Sequence, residues 1–239
     1  MVDVFGGIAK ALQLIATGDP TLYGIVYRSL FFSGIAVVLA TLWGTPIAML
    51  IALREFRGKT IVKTFITSLI GTPTVVLGLV LYLIFSKGGP LGALGLLYTP
   101  AVIILGEAVL VTPILISIAT NAIEAVDPEI MNLAKTLGAS QSQASVAVLR
   151  EAFNGFLLSN IASFNRAIAE LGVALLVGGN IAGLTDVLTT AISRYTQTGD
   201  LGLAIALGII LMVIVFTVNI IIIAARKAKF LFALWRSPQ

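Results

Sequence analysis

Runs of uncharged residues constrain this chain more than any motif does. Residues 29–53, 64–86 and 201–225 contain no Asp, Glu, Lys or Arg, and each is long enough to cross about 30 Å of hydrocarbon at about 1.5 Å per residue of helix. In lipid a segment must satisfy its own backbone hydrogen bonds, which makes helices of such runs. Two further stretches are nearly as apolar: 100–120 carries one acid, Glu107, and about 156–177 carries Arg166 and Glu170. With 58% hydrophobic and 11% charged residues over 239 positions, and a mean hydropathy of +1.06, the chain is too apolar for a soluble domain of its size. The reading is an all-α membrane protein with about five transmembrane helices, a single domain over 1–239.

Lysines and arginines orient the spans. Arg54, Arg57, Lys59 and Lys63 follow the first span, Lys135 and Arg150 lie between the third and fourth, and Arg226, Lys227, Lys229 and Arg236 close the chain. In a five-span chain all ten fall on one side, against Lys10, Arg28, Lys87 and Arg194 on the other. By the positive-inside rule the rich side is cytoplasmic, with the N-terminus outside and the C-terminus inside a cytoplasmic (inner) membrane. The pI near 9.5 is therefore topology and not a nucleic-acid footprint. At the N-terminus Asp3 stands where a signal peptide needs basic residues, so 5–17 reads as a retained helix, interfacial on the outer face or else appended against lipid. Gly18-Asp19-Pro20 then stops that helix, caps the next and starts it.

Absent residue types remove most chemistry. The chain has no histidine and no cysteine, which excludes thiolate or imidazole metal sites and a Ser-His-Asp triad; no catalytic or metal-ligating residue is assigned. Gly58-Lys59-Thr60 imitates the end of a phosphate-binding loop, but Leu53 stands where that loop needs its first glycine. The chain is expected to hydrolyse no ATP by itself and to bind no cofactor.

The longest cytoplasmic connection, 121–155, carries dense local signals. Asp127-Pro128 supplies an N-cap and a first-turn proline, and Ile130, Leu133, Ala134 and Leu137 share one helical face. Gly138 ends that helix, because glycine takes the left-handed conformation without penalty. Ser140 with Gln143 forms a capping box for a second helix running toward Arg150 and Phe153. The expectation is a helix-turn-helix whose apolar stripe lies against the cytoplasmic face of the bundle, either as a loop that packs only on its own protein or as a docking element for a cytoplasmic partner.

The run VDPEIMNLAKTLGAS at 126–140 resembles the cytoplasmic EAA loop of ATP-binding-cassette importer permeases, whose pattern is Glu-Ala-Ala, three residues, Gly, nine residues and an Ile-x-Leu-Pro ending. Ala134 and Gly138 match by position; Asn132 replaces the glutamate, Leu133 the first alanine, and Arg150 and Glu151 the closing Leu-Pro. The segments Leu149-Arg150-Glu151-Ala152, Arg166-Ala167-Ile168-Ala169-Glu170-Leu171-Gly172 and Val177-Gly178-Gly179-Asn180-Ile181 are similar to the tungstate branch of the molybdate and tungstate importers. So are Phe56-Arg57-Gly58, Gly89-Pro90-Leu91-Gly92 and Val187-Leu188-Thr189-Thr190-Ala191-Ile192. The resemblance implies a type I importer permease that works as a homodimer, with an extracytoplasmic solute-binding protein outside and two ATP-binding subunits inside using ATP and Mg. It implies that Asp127, Pro128, Asn132, Leu133, Ala134, Leu137, Gly138, Ala139 and Ser140 couple the chain to the ATPase. Tungstate rests on the resemblance alone, with molybdate or sulfate as alternatives.

The pathway is less specified. Gly71, Thr72, Pro73 and Thr74 interrupt the second span, where a proline frees a backbone carbonyl, and the break reads equally as a packing kink or as a pathway wall. Arg166 and Glu170, one turn apart, read as mutual neutralisation inside the bundle or as substrate contacts; Glu107 with Thr112-Pro113 is equally ambiguous. A stand-alone secondary transporter is the alternative of a different class, although no second copy of the Asp-Pro…Leu-Gly-Ala-Ser segment supplies the internal repeat such proteins usually show.

Overall fold

The computed structural model describes residues 4–236 of the chain, and side chains within 5–221. Among the described residues are eleven α-helices and one short 3-10 turn, joined by turns and loops. The basic tail, Arg226, Lys227, Lys229 and Arg236, lies beyond the residues whose side chains are described.

Three helices are long and apolar enough to cross a membrane unaided: α2 (Pro20–Leu53), α5 (Pro100–Glu124) and α11 (Leu201–Arg236). Asp19 caps α2 by accepting from the Leu22 N–H at 2.8 Å, and Pro20 begins the helix, as the Gly-Asp-Pro signal requires. The preceding helix α1 (Val4–Thr17) packs along α11. Its Ala11 is fully buried with Leu22, Ile25 and Leu207, and Lys10 pairs with Asp200 at 3.0 Å. Phe5 and Leu12 on its other side stay exposed.

The other two expected spans are not single helices. Residues 64–86 divide into α3 (Lys59–Leu69) and α4 (Thr74–Phe85), whose axes differ by 94°. Pro73 causes the division: it bars Thr72 from the helical conformation and donates no N–H of its own. The chain turns instead through Gly71 N–H to Ser68 O and Thr72 N–H to Leu69 O, both 3.1 Å. Residues 156–177 divide into α8 (Phe153–Ile168) and α9 (Gly172–Gly178), bent by 57°. No glycine or proline stands between Phe156 and Leu171, so tertiary contacts must hold this break. Five spans result if each bent pair is taken as one.

Between these lie α6 (Pro128–Thr136) and α7 (Gln141–Glu151) on the connection from α5 to α8, and α10 (Leu188–Thr198) before α11. The packing centre is α5, which touches α2, α3, α4, α8 and α9. One apolar cluster, with Phe32, Leu81, Val102, Ile103, Val173 and Val177, gathers one end of the bundle. A second, with Ala48, Ile51, Ile116, Ala119, Ile123 and Val148, gathers the end from which α6 and α7 project. Backbones come very close where α4 meets α9. A Cβ on Gly172 would sit 2.9 Å from the Val75 nitrogen, so only glycine allows the contact.

Candidate functional site

The connection between α5 and α8 builds a compact helical pair. Asp127 accepts from the Glu129 N–H at 2.9 Å and Pro128 opens α6. Gly138 has φ +88°, and two 3.0 Å bonds, Gly138 N–H to Lys135 O and Ala139 N–H to Ala134 O, close the end of α6. That is the paired pattern of a Schellman ending. Ser140 and Gln143 then complete the expected capping box, the Gln143 side chain taking the Ser140 N–H at 2.8 Å and Ser140 Oγ the Gln143 N–H at 3.3 Å. The second helix ends at Glu151, and Ala152 alone separates it from α8.

The apolar stripe is divided, contrary to expectation. Ile130 and Met131 pack on the cluster formed by Ile123 and Val148, while Leu133 is 61% and Leu137 80% exposed. The reason lies in α7: Ala144 and Val148 are its buried residues, so α7 fills the space against the bundle and turns the outer half of α6 away. Asp127, Pro128, Asn132, Gly138 and Ser140 are exposed as well, the first three along a groove with Lys59, Glu124 and Val148, whereas Ala134 and Ala139 are half-buried. Two leucines exposed among the described residues, on a helix capped at both ends, make an apolar knob.

At the foot of α6 lies a set of four charges. Lys59 reaches Glu55 at 3.0 Å and Glu124 at 3.3 Å, and Lys63 reaches Glu124 at 2.5 Å. The Lys59 of the phosphate-loop look-alike is thus engaged by carboxylates as the first residue of α3, and ties that helix to the end of α5.

The structure keeps the four residues of the first break apart from the ion pair of the second but joins the two breaks through backbone contact. Gly71, Thr72 and Pro73 form the turn, and Thr74 opens α4, where its Oγ1 approaches Gly172. Arg166 Nη1 meets Glu170 Oε2 at 2.7 Å. The other carboxylate oxygen, Oε1, accepts the Val173 N–H at 2.9 Å and so caps α9, while Thr189 Oγ1 donates to the Glu170 backbone oxygen. Glu170 is 1% exposed and Arg166 33%. A buried carboxylate with a cation and a backbone donor is neutralised and positioned. Glu107, on α5, is equally buried beside Ser33. Thr112 bonds the Ala108 carbonyl and accepts from the Trp43 indole at 2.7 Å.

Sequence reasoning missed Asp186. Its side chain is 2% exposed and bridges two arginines, Arg28 of α2 at 2.6 Å and Arg194 of α10 at 3.2 Å, while accepting from the Gly183 N–H at 3.0 Å. Together with Thr185, which donates to Gly178 O at 2.6 Å and accepts from Ile181 N–H at 2.9 Å, it fixes the loop from Gly179 to Val187. The available signal was a lone acid between Glu170 and Asp200, with Arg28 and Arg194 left to be explained.

Comparison with known proteins fits this architecture. A family model described as the binding-protein-dependent transport system inner membrane component matches residues 44–227. The tungstate uptake system permease protein TupB of Peptoclostridium acidaminophilum is 35% identical over 92% of this chain and 97% of its own. A probable anion ABC transporter permease protein of Haloferax volcanii is 37% identical over 86% of this chain and 92% of its own. Among solved structures, a bacterial ABC transporter for import of the acidic polysaccharide alginate superposes with a TM-score of 0.67 at 18% identity, covering 90% of this chain and 82% of that one. The extent of the family match and of both relatives places this chain in the family of binding-protein-dependent transport system inner membrane components, as a permease subunit of an ABC transporter.

Proposed function

We propose that this permease imports an oxyanion, tungstate first, which it receives from an extracytoplasmic solute-binding protein and drives inward by ATP hydrolysis on a separate cytoplasmic subunit. One observation carries the coupling: in a chain of this family, the capped helix α6 projects Leu133 and Leu137, which among the described residues stay 61% and 80% exposed. Each leucine contributes about 1.5–3 kcal/mol when it is fully buried, so a groove on the ATPase that takes both gains a firm hold. The docking surface runs over Asp127, Pro128, Asn132, Leu133, Ala134, Leu137, Gly138, Ala139 and Ser140, and ATP with Mg belongs to the partner. Support for the ion comes from the named substrate of one relative and the anion of the other; molybdate and sulfate are the competing substrates.

The assembly proposed is a two-fold homodimer in the inner membrane, N-terminus outside, because one copy offers half of a central path and two-fold symmetry lets identical surfaces meet identical ATPases. Co-purification in mild detergent with native mass measurement tests it, with a 2:2 permease to ATPase particle expected. Uptake into liposomes in the presence of the binding protein, with tungstate, molybdate and sulfate in competition, tests the substrate. A lone permease that accumulates the ion on a gradient, with no ATPase present, would instead establish a secondary transporter.

A further inference from the structure

At the end of the bundle opposite α6 and α7, two loops carry exposed apolar side chains. Residues 86–99 join α4 to α5 and present Leu91, Leu94 and Tyr98; residues 179–187 join α9 to α10 and present Ile181 and Leu184. Leu94 is 59% and Leu184 46% exposed. The loops touch each other. The Tyr98 N–H donates to Val177 O at 2.8 Å, and the Tyr98 ring lies so close to Gly179 that a Cβ there would stand 2.8 Å from it. Leu96 and Leu97 pack beneath, in one cluster with Val177 and Val187.

Neither loop is slack. The Gly89 N–H bonds Ser86 O at 2.8 Å and the Leu91 N–H bonds Ile84 O at 3.0 Å, and a Cβ on Gly89 would fall 2.1 Å from the Leu83 oxygen, so the first loop folds tightly back on α4. Asp186, between Arg28 and Arg194, holds the second. Tyr98 at φ +62° and Asn180 at φ +51° are the two non-glycine residues with positive φ among the described residues, and both stand where the loops meet. Strained backbone of this kind persists where the surrounding structure over-determines it, and it clusters at sites that bind. A bilayer surface is fluid and rewards buried apolar area, not a fixed arrangement of it. The locked geometry therefore points to a protein partner.

Charge selects the partner. Lys87 makes no ion pair among the described residues, and Arg28 and Arg194 share the carboxylate of Asp186, so the rim of this surface is positive. A second copy of the chain would bring the same positive rim against it. We propose that the surface of Leu91, Leu94, Tyr98, Ile181 and Leu184 seats the extracytoplasmic binding protein, which meets it with an apolar patch ringed by carboxylates. The inference rests on the importer reading above, and the family's dependence on a binding protein supplies the partner. Loops already held in one conformation lose little freedom on docking, which keeps the cost of association low. The opposed charges steer the encounter and fix its orientation.

The chain has no cysteine, so the complete importer, reconstituted in nanodiscs with a cysteine-free ATPase and binding protein, can be probed one position at a time. Leu94→Cys and Leu184→Cys are expected to react with a water-soluble maleimide and to be protected by the tungstate-loaded binding protein. Leu94→Ser with Leu184→Ser is expected to raise the binding-protein concentration for half-maximal ATP hydrolysis by about tenfold, the loss of two apolar anchors from an interface. Lys87→Glu is expected to weaken docking and to flatten its dependence on salt. Equal labelling with and without the binding protein overturns the surface, and so does a wild-type half-maximal concentration in both variants. Cysteines silent in nanodiscs but reactive in detergent would give the tips to lipid, and a Leu184→Cys disulfide between copies in place of protection would give them to a second copy; either result also overturns it. If no binding protein stimulates the wild type, the importer reading falls and this surface with it; if the wild type responds while both cysteines go unprotected, only the surface falls.

Discussion

Replacing Gly138 with valine separates backbone strain from steric clash. The residue sits at φ +88°, yet a Cβ placed on it would meet nothing within 4 Å. The cost of a side chain there is therefore conformational alone, about 1–2 kcal/mol for an L residue in the left-handed region. Relaxing φ to a negative value would break the two 3.0 Å bonds that close α6 and re-aim Leu133 and Leu137 relative to α7. One to two kcal/mol is a factor of about 5–30 in the population of the docking geometry. Gly138→Val is accordingly expected to reach the membrane at wild-type level but to lose affinity for the ATPase by about that factor, with binding-protein-stimulated ATP hydrolysis reduced in proportion. Gly138→Asn should be milder, since asparagine visits the left-handed region more readily. Titrating purified ATPase against each variant in detergent, with insertion measured in parallel, gives both numbers. An ordinary solvated loop would absorb either change within about 0.5 kcal/mol, so equal affinity for wild type, Asn and Val would refute the reasoning.

Leu133→Ala with Leu137→Ala should leave the melting temperature of the isolated permease almost unchanged, because both side chains are exposed, while ATPase retention falls; a lower melting temperature with full retention would mean that the leucines serve the fold. Glu170→Ala should destabilise the permease by about 3 kcal/mol, the low end for breaking a buried pair because Arg166 is one-third exposed. Arg166→Met with Glu170→Met should recover part of that loss in thermal unfolding; transport lost with no change in unfolding would assign the pair to substrate instead. In intact cells Gly88→Cys should label with an impermeant reagent and Gly58→Cys should not, and labelling of Gly58→Cys would invert the orientation.

Legibility in the sequence followed the range of the interactions. The helical pair at 127–151 could be read residue by residue because each of its devices, Asp127 with Glu129, Gly138 with Lys135 and Ser140 with Gln143, acts within three positions. The break at Pro73 was visible as an interruption, but its 94° angle was not. That angle depends on α4 seating against α9, where Gly78 and Gly172 bring two distant backbones together. The break before α9 carried no glycine or proline between Phe156 and Leu171, and its one short-range device, Glu170 accepting from the Val173 N–H, read only as a partner for Arg166. It is held by Glu170 capping the new helix and by Thr189, 19 residues further on, donating to the Glu170 carbonyl. Asp186 was hidden for the same reason, since its partner Arg28 is 158 residues away. Exposure of Leu133 and Leu137 could not be read from periodicity either, because a helical stripe does not say which half of it a neighbouring helix will cover.

The position of α5 connects the surface proposed for docking with the interrupted spans. It ends at Glu124, three residues before the Asp127 that caps α6, and Ile123 packs in one cluster with Ile130 and Met131. A displacement of α6 is thus delivered to the end of α5 with little slack. Along its length α5 meets both broken spans: Ser117 faces Thr67 of α3, and Gly106 lies so close to Val173 of α9 that a Cβ would stand 2.5 Å from its side chain. Close-packed contacts of this kind shift as units and do not deform gradually. In the proposed importer, closure of the ATPase pair therefore need not bend any long helix. It moves α5, and the turns at Gly71–Thr74 and Ala169–Leu171, already released from helical hydrogen bonding, take up the change in angle.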